Sequence, residues 1–178
     1  QGAQSLVLTG SLGDVMKESA KTALSFMKAN HSLFEVDRDV LQATEIHIHM
    51  PQGAVPKDGP SAGIALVSSM LSAFIRNPIK GDICFTGEIT LHGNVLAIGG
   101  LREKCLAAQR QGFQTIIIPA KNKDQYSDLP RSIRKDLTPV FVMNYSEVFD
   151  YLKRYGFSYP HKTTSSLKKD QMPTQAVG

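Results

Sequence analysis

The most informative stretch of the chain is KDGPSAGIALVSSMLSAFI at residues 57–75, where small and turn-forming residues lead directly into an apolar run. The run predicts a helix over 61–75, and because it is apolar on nearly every side we expect this helix to be buried. Ser61 then lies at or near a helix N-terminus, where unpaired backbone N–H groups and the positive end of the helix dipole point. That position suits a nucleophile whose substrate becomes an oxyanion, although a serine there is more often a simple N-cap.

Strand and helix patterns alternate on both sides of this stretch. The sequence predicts strands over 5–9, 45–50, 83–91, 95–98, 115–119 and 139–143, a loop over 51–59, and further helices over 14–29, 101–111 and 146–154. We expect His92-Gly93-Asn94 to form a hairpin turn, Gly112 to end a helix and Ser146 to cap the last one. These elements predict an α/β (α+β) fold, a single domain with helices packed on mixed, short-stranded sheets.

The composition is that of an ordinary globular domain. The chain has 178 residues, of which 42% are hydrophobic and 20% are charged, which is enough for one domain with a proper core. No stretch reaches the ~18–20 uninterrupted apolar residues that a membrane span requires. We therefore expect no membrane association.

The net charge of +4 is confined to one end of the chain. From residue 153 onwards five basic residues face Asp170 alone, so residues 1–152 carry 15 basic and 15 acidic residues. A neutral body argues against nucleic acid as a partner. We expect a folded domain over 1–160, truncated at its N-terminal edge because the sequence begins directly in a strand pattern, and a disordered polar and basic tail over 161–178.

Two patterns give no metal or disulfide site. Cys84 and Cys105 lack the spacing of a zinc or redox motif, which favours two free thiols in a reducing compartment. The pair His47 and His49 lacks a third ligand, so we do not expect it to hold a metal.

The segment GPSAG at residues 59–63 also fits the G-x-S-x-G nucleophile elbow of α/β-hydrolases. That chemistry needs a histidine downstream of the serine. The two downstream histidines are His92, in the predicted turn, and His161, in the predicted tail. A serine esterase is therefore kept only as an alternative.

A serine without a histidine can use a lysine as its base, provided that the lysine is neutral. Lys104 is the best candidate because it is the polar member of an otherwise apolar helical stripe formed by Leu101, Cys105 and Ala108. Desolvation and the positive end of the helix both lower the pKa of a lysine placed there. The alternative is a lysine whose stem lies along the core edge and whose ammonium reaches water.

Five motifs in the same order give a more specific result than either residue alone. They are LTGSLGDVMKESA at 8–20, PKDGPSAG at 56–63, FTGEIT at 85–90, GNVLAIGGLREK at 93–104 and IIIPAKNK at 116–123. With these motifs, the chain resembles the proteolytic domain of Lon proteases over about residues 5–155.

The resemblance implies a serine endopeptidase with a Ser–Lys dyad. The matching positions are Ser61 as nucleophile and Lys104 as base, acting through an acyl-enzyme. The resemblance makes Thr86 the residue that orients the lysine. It also places Asp58 and His49 close to the site, where Asp58 orders or blocks the loop before the nucleophile. His49 is equally well interpreted as a solvent-facing strand residue.

The resemblance also implies partners that this sequence does not contain. There is no G-x-x-x-x-G-K-[ST] phosphate loop, so we expect no cofactor in this domain and assign ATP and Mg²⁺ to an AAA+ ATPase module of the full-length protein. Lon-type domains assemble as homo-hexamers and degrade unfolded or damaged proteins in quality control. The bacterial cytoplasm is the expected location, with the mitochondrial matrix as the alternative. A non-catalytic Lon-like structural module remains the alternative to a peptidase.

Overall fold

Helices pack on both faces of a small parallel sheet. The computed structural model describes residues 6–51 and 58–159. The strands are β1 (Leu6–Gly10), β2 (Ile46–Met50), β3 (Ile83–Phe85), β4 (Glu88–Ile89), β5 (Val95–Leu96), β6 (Thr115–Pro119) and β7 (Thr138–Val142). The helices are α1 (Asp14–Ala29), α2 (Arg38–Ala43), α3 (Gly63–Ile75), α4 (Leu101–Arg110), α5 (Lys123–Ser127), α6 (Arg131–Arg134) and α7 (Tyr145–Tyr151). The 3-10 turns Pro60–Ala62 and Ala120–Asn122 precede α3 and α5, and a π-helical turn, Leu152–Gly156, follows α7.

Three separate sheets form within these ranges. The main sheet has the parallel order β3-β6-β7, with Phe85 beside Ile117 and Ile117 beside Val140. β1 pairs with β2 in parallel, and β4 pairs with β5 as an antiparallel hairpin. Mixed, short-stranded sheets with packed helices were predicted from the sequence, and this α/β architecture is confirmed.

The central strand β6 separates two hydrophobic cores. Ile117 packs into the core that α1, α3 and α7 build, whereas Ile116 and Ile118 pack on the opposite side, against α4, α5 and α6. All three isoleucines are at most 2% exposed. A parallel strand that is covered on both faces reads as a continuous apolar run, which explains the sequence of β6.

Edge-to-face aromatic packing fills the first core. Phe26, Phe34, Tyr145 and Phe149 lie with ring centroids 5.3–5.8 Å apart. The Tyr145 hydroxyl is fully buried and lies 2.8 Å from Ser68 Oγ on α3, so the one polar atom of this ring has a partner.

Several predicted boundaries agree with the structure. α1 and β6 match their predicted ranges, and the hairpin turn is confirmed by the hydrogen bond from Thr90 N to Asn94 O (3.0 Å). Gly93 lies in this turn at φ +84°, and Gly112 ends α4 at φ +78°. In the described part of the chain, no helix is long and apolar enough to cross a membrane.

Other predictions were wrong. The single strand predicted over 83–91 is two strands, because Gly87 turns out of the sheet and pairs with the segment before α3. Ser146 does not cap α7, since Asn144 accepts the Glu147 N–H and the helix begins at Tyr145. The α-helix predicted over 61–75 begins only at Gly63. The predicted tail 161–178, residues 1–5 and most of the predicted loop 51–59 lie outside the described residues.

Candidate active site

Ser61 lies in the 3-10 turn that leads into α3. Gly59 before it is extended, and Pro60 opens the turn with its ring-fixed φ angle. The Ser61 carbonyl accepts a 2.8 Å hydrogen bond from Gly87 N, and Ile64 N donates to Gly87 O (3.1 Å). The backbone on both sides of Ser61 is therefore tied to the segment that follows β3.

Lys104 lies in the first turn of α4. Gly100 begins the helix in the left-handed conformation at φ +64°, which glycine adopts without steric cost. Leu101, Cys105 and Ala108 are buried on the same face, and the half-buried Lys104 extends from this face to Ser61. Its Nζ lies 2.7 Å from Ser61 Oγ, across 43 residues of sequence.

Burial lowers the pKa of the Lys104 ammonium below its ordinary value of 10.5. Desolvation disfavours the charged form of a lysine, and only a nearby carboxylate would oppose this effect strongly. Within residues 6–51 and 58–159, no ion pair involves Lys104. The site therefore makes loss of the proton from Lys104 easier than it is for a lysine in water.

Thr86 is the third polar group at this point. It directly follows β3 and is 6% exposed, and its Oγ1 lies 3.2 Å from Lys104 Nζ. Its backbone N–H donates a hydrogen bond to Ile117 O on β6 (3.0 Å). Its hydroxyl donates a long hydrogen bond of 3.5 Å to Ser61 O. The structure thus brings Ser61, Lys104 and Thr86 together at the carboxyl end of a parallel strand, where α/β sheets commonly bind ligands.

A mostly apolar cavity of about 320 Å³ opens beside these three residues. Its apolar lining includes Ala65, Phe85, Ala108, Phe113 and Ile116. The cavity can take an apolar side chain of a substrate whose reacting carbonyl lies at Ser61.

The two thiols near the cavity are not competing nucleophiles. Burial raises the pKa of the Cys84 thiol to about 11, and burial also raises the pKa of the Cys105 thiol. A thiol reacts as its thiolate, so at neutral pH both remain almost wholly protonated. Cys84 Sγ instead contacts Thr115 O at 3.5 Å.

Asp58 and His49 contact other elements. Asp58 Oδ1 accepts a 3.2 Å hydrogen bond from Met16 N near the start of α1. His49 lies on the exposed face of β2, where its Nδ1 is 2.8 Å from Thr9 Oγ1. His47 Nε2 is 2.7 Å from the same hydroxyl. In the described ranges, no group of three or more His, Cys, Asp or Glu side chains could hold a metal ion.

Within residues 6–51 and 58–159, no histidine is hydrogen-bonded to Ser61 Oγ as an esterase would need. His92 is exposed in the β4–β5 turn, and His161 lies outside the described residues. Among the side chains that the structure describes, Ser61 Oγ has its hydrogen bond with Lys104.

Sequence reasoning missed the contribution of α1. Ser19 Oγ donates a 3.5 Å contact to Pro60 O, and Met16 N binds Asp58, so one helix touches the segment before Ser61 twice. A signal was available, because Gly13 precedes a strongly amphipathic helix without a side chain that could cap it. A side-chain cap for α1, if present, therefore comes from another part of the chain, and Asp58 supplies it.

A family model of the Lon protease (S16) C-terminal proteolytic domain matches residues 1–154. The chain belongs to the Lon protease family. It is 51% identical over 150 residues to the Lon protease of Aquifex aeolicus, covering 84% of this chain and 19% of that protein. It is 50% identical over 176 residues to the Lon protease of Xanthomonas oryzae pv. oryzae, covering 99% and 21%.

A third relative agrees with these two. Lon protease 2 of Thermus thermophilus is 48% identical over 149 residues, or 84% of this chain and 18% of that protein. The chain thus spans about a fifth of the length of these relatives and corresponds to their serine peptidase domain.

Proposed function

We propose that this domain hydrolyses peptide bonds with Ser61 as nucleophile and Lys104 as general base. The observation that carries the proposal is the 2.7 Å contact between Lys104 Nζ and Ser61 Oγ. A base within hydrogen-bond reach of a serine is the geometric requirement for activating that serine. The lowered pKa of Lys104 supports the same assignment.

The reaction proceeds in two stages through an acyl-enzyme. Neutral Lys104 accepts the Ser61 proton as Oγ attacks the substrate carbonyl carbon, and the ammonium so formed donates that proton to the leaving amine. Lys104, neutral again, then accepts a proton from a water molecule that attacks the acyl carbon. Collapse of this second intermediate returns the proton to Ser61 and releases the carboxyl product.

Two supporting roles follow from the surroundings of the dyad. The oxyanion is assigned to backbone N–H groups at Gly59 and Ser61, because Pro60 between them has no N–H to donate. Thr86 orients Lys104 through its hydroxyl, which lies 3.2 Å from Nζ. The neighbouring apolar cavity supports a preference for an apolar side chain next to the bond that is cleaved.

The remaining parts of the proposal concern the full-length protein. Its substrates are unfolded or damaged proteins, and an AAA+ module in the same chain uses ATP and Mg²⁺ to deliver them. The protein works as a homo-hexamer in the bacterial cytoplasm, or alternatively in the mitochondrial matrix, without nucleic acid or a membrane as partner. Relatives that are more than four times as long as the present chain and come from bacteria support a further module and a bacterial location.

Hydrolysis of a fluorogenic peptide tests the dyad. We expect Ser61→Ala and Lys104→Ala to reduce hydrolysis to background while far-ultraviolet circular dichroism stays unchanged, because each removes one member of the dyad. Ser69→Ala and Lys135→Ala are matched controls, since both side chains are exposed and neither contacts the dyad. Substantial turnover by either dyad variant would contradict the assignment.

Labelling with a peptide boronate, together with one histidine variant, separates the three classes of function. Covalent modification at Ser61 supports the peptidase. No reaction under any condition favours a non-catalytic Lon-like module, and loss of activity in His92→Ala favours an esterase.

A further inference from the structure

Helix α1 begins without a cap of its own. Its N-cap residue is Gly13, and no side chain at that position accepts a hydrogen bond. Asp58 fills this role from a distant part of the sequence. Its Oδ1 accepts a 3.2 Å hydrogen bond from the N–H of Met16, which lies 42 residues earlier in the chain. Met16 is the third residue of α1, and its N–H is one that a capping side chain normally satisfies.

The absence of a side chain at Gly13 makes this contact possible. A Cβ atom built there would lie 2.0 Å from Asp58 Cγ and 2.4 Å from Asp58 Cβ. The φ angle of Gly13 is −74°, which any residue adopts. Glycine is therefore required at this position by space and not by backbone conformation.

The same helix contacts the segment a second time. Ser19 Oγ lies 3.5 Å from Pro60 O, and Met16 and Ser19 are three residues apart, on one face of α1. Asp58 and Pro60 flank Gly59, and Ser61 follows directly. α1 thus holds the chain on both sides of a backbone N–H that is assigned to the oxyanion.

We propose that Gly13 is a positioning residue of the peptidase and that it acts through Asp58, whose effect on the loop before Ser61 the family resemblance already implies. Gly13 leaves room for Asp58 to cap α1, and this contact fixes the path of residues 58–60 and hence the aim of the Gly59 N–H and of Ser61. Gly13 has no side chain and the Asp58 carboxylate binds Met16 N, so neither residue is assigned a contact with the reacting atoms. The inference rests on the proposed function, which supplies the reaction that these residues serve.

Gly13→Ala tests the positioning role in peptide hydrolysis. An alanine displaces Asp58, and a misplacement of this kind is expected to lower kcat by about 10- to 100-fold with little change in KM. Gly81→Ala is the matched control, because an added Cβ there meets no heavy atom within 4 Å. Equal kcat values for the two variants would overturn the inference.

Variants at Asp58 show whether the effect passes through this side chain. Asp58→Ala removes the acceptor and lowers kcat. Asp58→Asn keeps an oxygen acceptor, so its kcat is expected to be at least about fivefold higher than that of Asp58→Ala. Asp58→Gly removes both the Cβ and the carboxylate that the alanine would strike. In that background Gly13→Ala is therefore expected to cost no more than about twofold. A further loss as large as in the wild-type background would overturn the inference.

Unfolding in urea gives a readout that does not depend on activity. A double-mutant cycle is formed by wild type, Gly13→Ala, Asp58→Gly and the double variant. We expect the changes in unfolding free energy caused by the two substitutions to be non-additive. Hydrolysis that is lost in Ser61→Ala but unchanged in Gly13→Ala overturns this inference and leaves the proposed function intact. Hydrolysis that persists in Ser61→Ala overturns the proposed function, while an additive cycle overturns the contact itself.

Discussion

Lys104 places an amino group on an otherwise apolar face of helix α4. The spacing of Leu101, Cys105 and Ala108 around it identified this lysine from the sequence, and the structure buries that face. Its distance from Ser61 could not be obtained from spacing, because the two residues are 43 positions apart and lie on different helical elements. The family resemblance supplied that pairing.

The pH dependence of hydrolysis follows from the protonation of Lys104. Only the neutral amine accepts the Ser61 proton, so kcat/KM rises with pH as the ammonium is lost. Burial lowers the pKa of Lys104, so we expect the midpoint of this rise to lie below the ordinary value of 10.5. Initial rates on the fluorogenic peptide, measured in buffers of constant ionic strength, give the profile.

A matched variant and a contrary result are available for this experiment. Lys104→Arg keeps a positive charge that does not titrate in the accessible range, so no rising limb is expected from it. A wild-type profile that is flat from about pH 6 to about pH 9 would contradict lysine as the base.

At the scale of elements, the start of α7 shows why the residue pattern predicted the wrong N-cap. Asn144 and Ser146 both belong to the residue types that favour N-caps. The structure selects Asn144, whose Oδ1 accepts from Glu147 N at 3.2 Å, while the Glu147 carboxylate accepts from Met143 N at 2.8 Å. The Ser146 hydroxyl donates to Asn144 Oδ1. Ser146 therefore supports the Asn144 cap and is not itself the N-cap of α7.

Removal of the true cap is expected to destabilise the fold. Asn144→Ala should lower the free energy of unfolding by about 1 kcal/mol. The reason is that the Glu147 N–H and the Ser146 hydroxyl lose their acceptor. Ser146→Ala should lower it by less, since Asn144 still caps the helix. Urea unfolding followed by circular dichroism measures both, and the opposite order of effects would contradict the assignment.

The segment 83–91 and three short helices show what residue patterns cannot predict. The apolar pattern of 83–91 is continuous, but Gly87 binds the backbone of Ser61 and Ile64, and this partner lies about 25 residues away. Helices α2, α5 and α6 contain only four to six residues, which is too short for a helical period to be visible.

At the scale of the whole molecule, the contact between Ser61 and Lys104, our proposed dyad, joins the two cores. Ser61 leads into α3, which packs in the first core, and Lys104 belongs to α4, which packs in the second. β6 contributes Ile117 to one core and Ile116 and Ile118 to the other. The succession of strand and helix patterns along the chain allowed these elements to be predicted, but which helix covers which face of β6 is decided by tertiary packing.

Shared dependence on β6 predicts that the two cores unfold together. Amide hydrogen exchange, followed by mass spectrometry on peptides from α3 and α4, should give the same opening free energy and the same dependence on urea. Peptides from the six-residue α2 serve as the comparison and should exchange faster by local opening. A markedly lower opening free energy for α4 would show that the cores are independent.

Placement of the dyad across the central strand also bears on how the enzyme is made. β3 holds its register through β6, and the Thr86 N–H is fixed by Ile117 O of β6. A ribosome that has translated both Ser61 and Lys104 has not yet released the strand that aligns them. The proposed dyad is therefore aligned only after β6 has taken its place in the sheet, so catalytic competence follows the folding of the central strand.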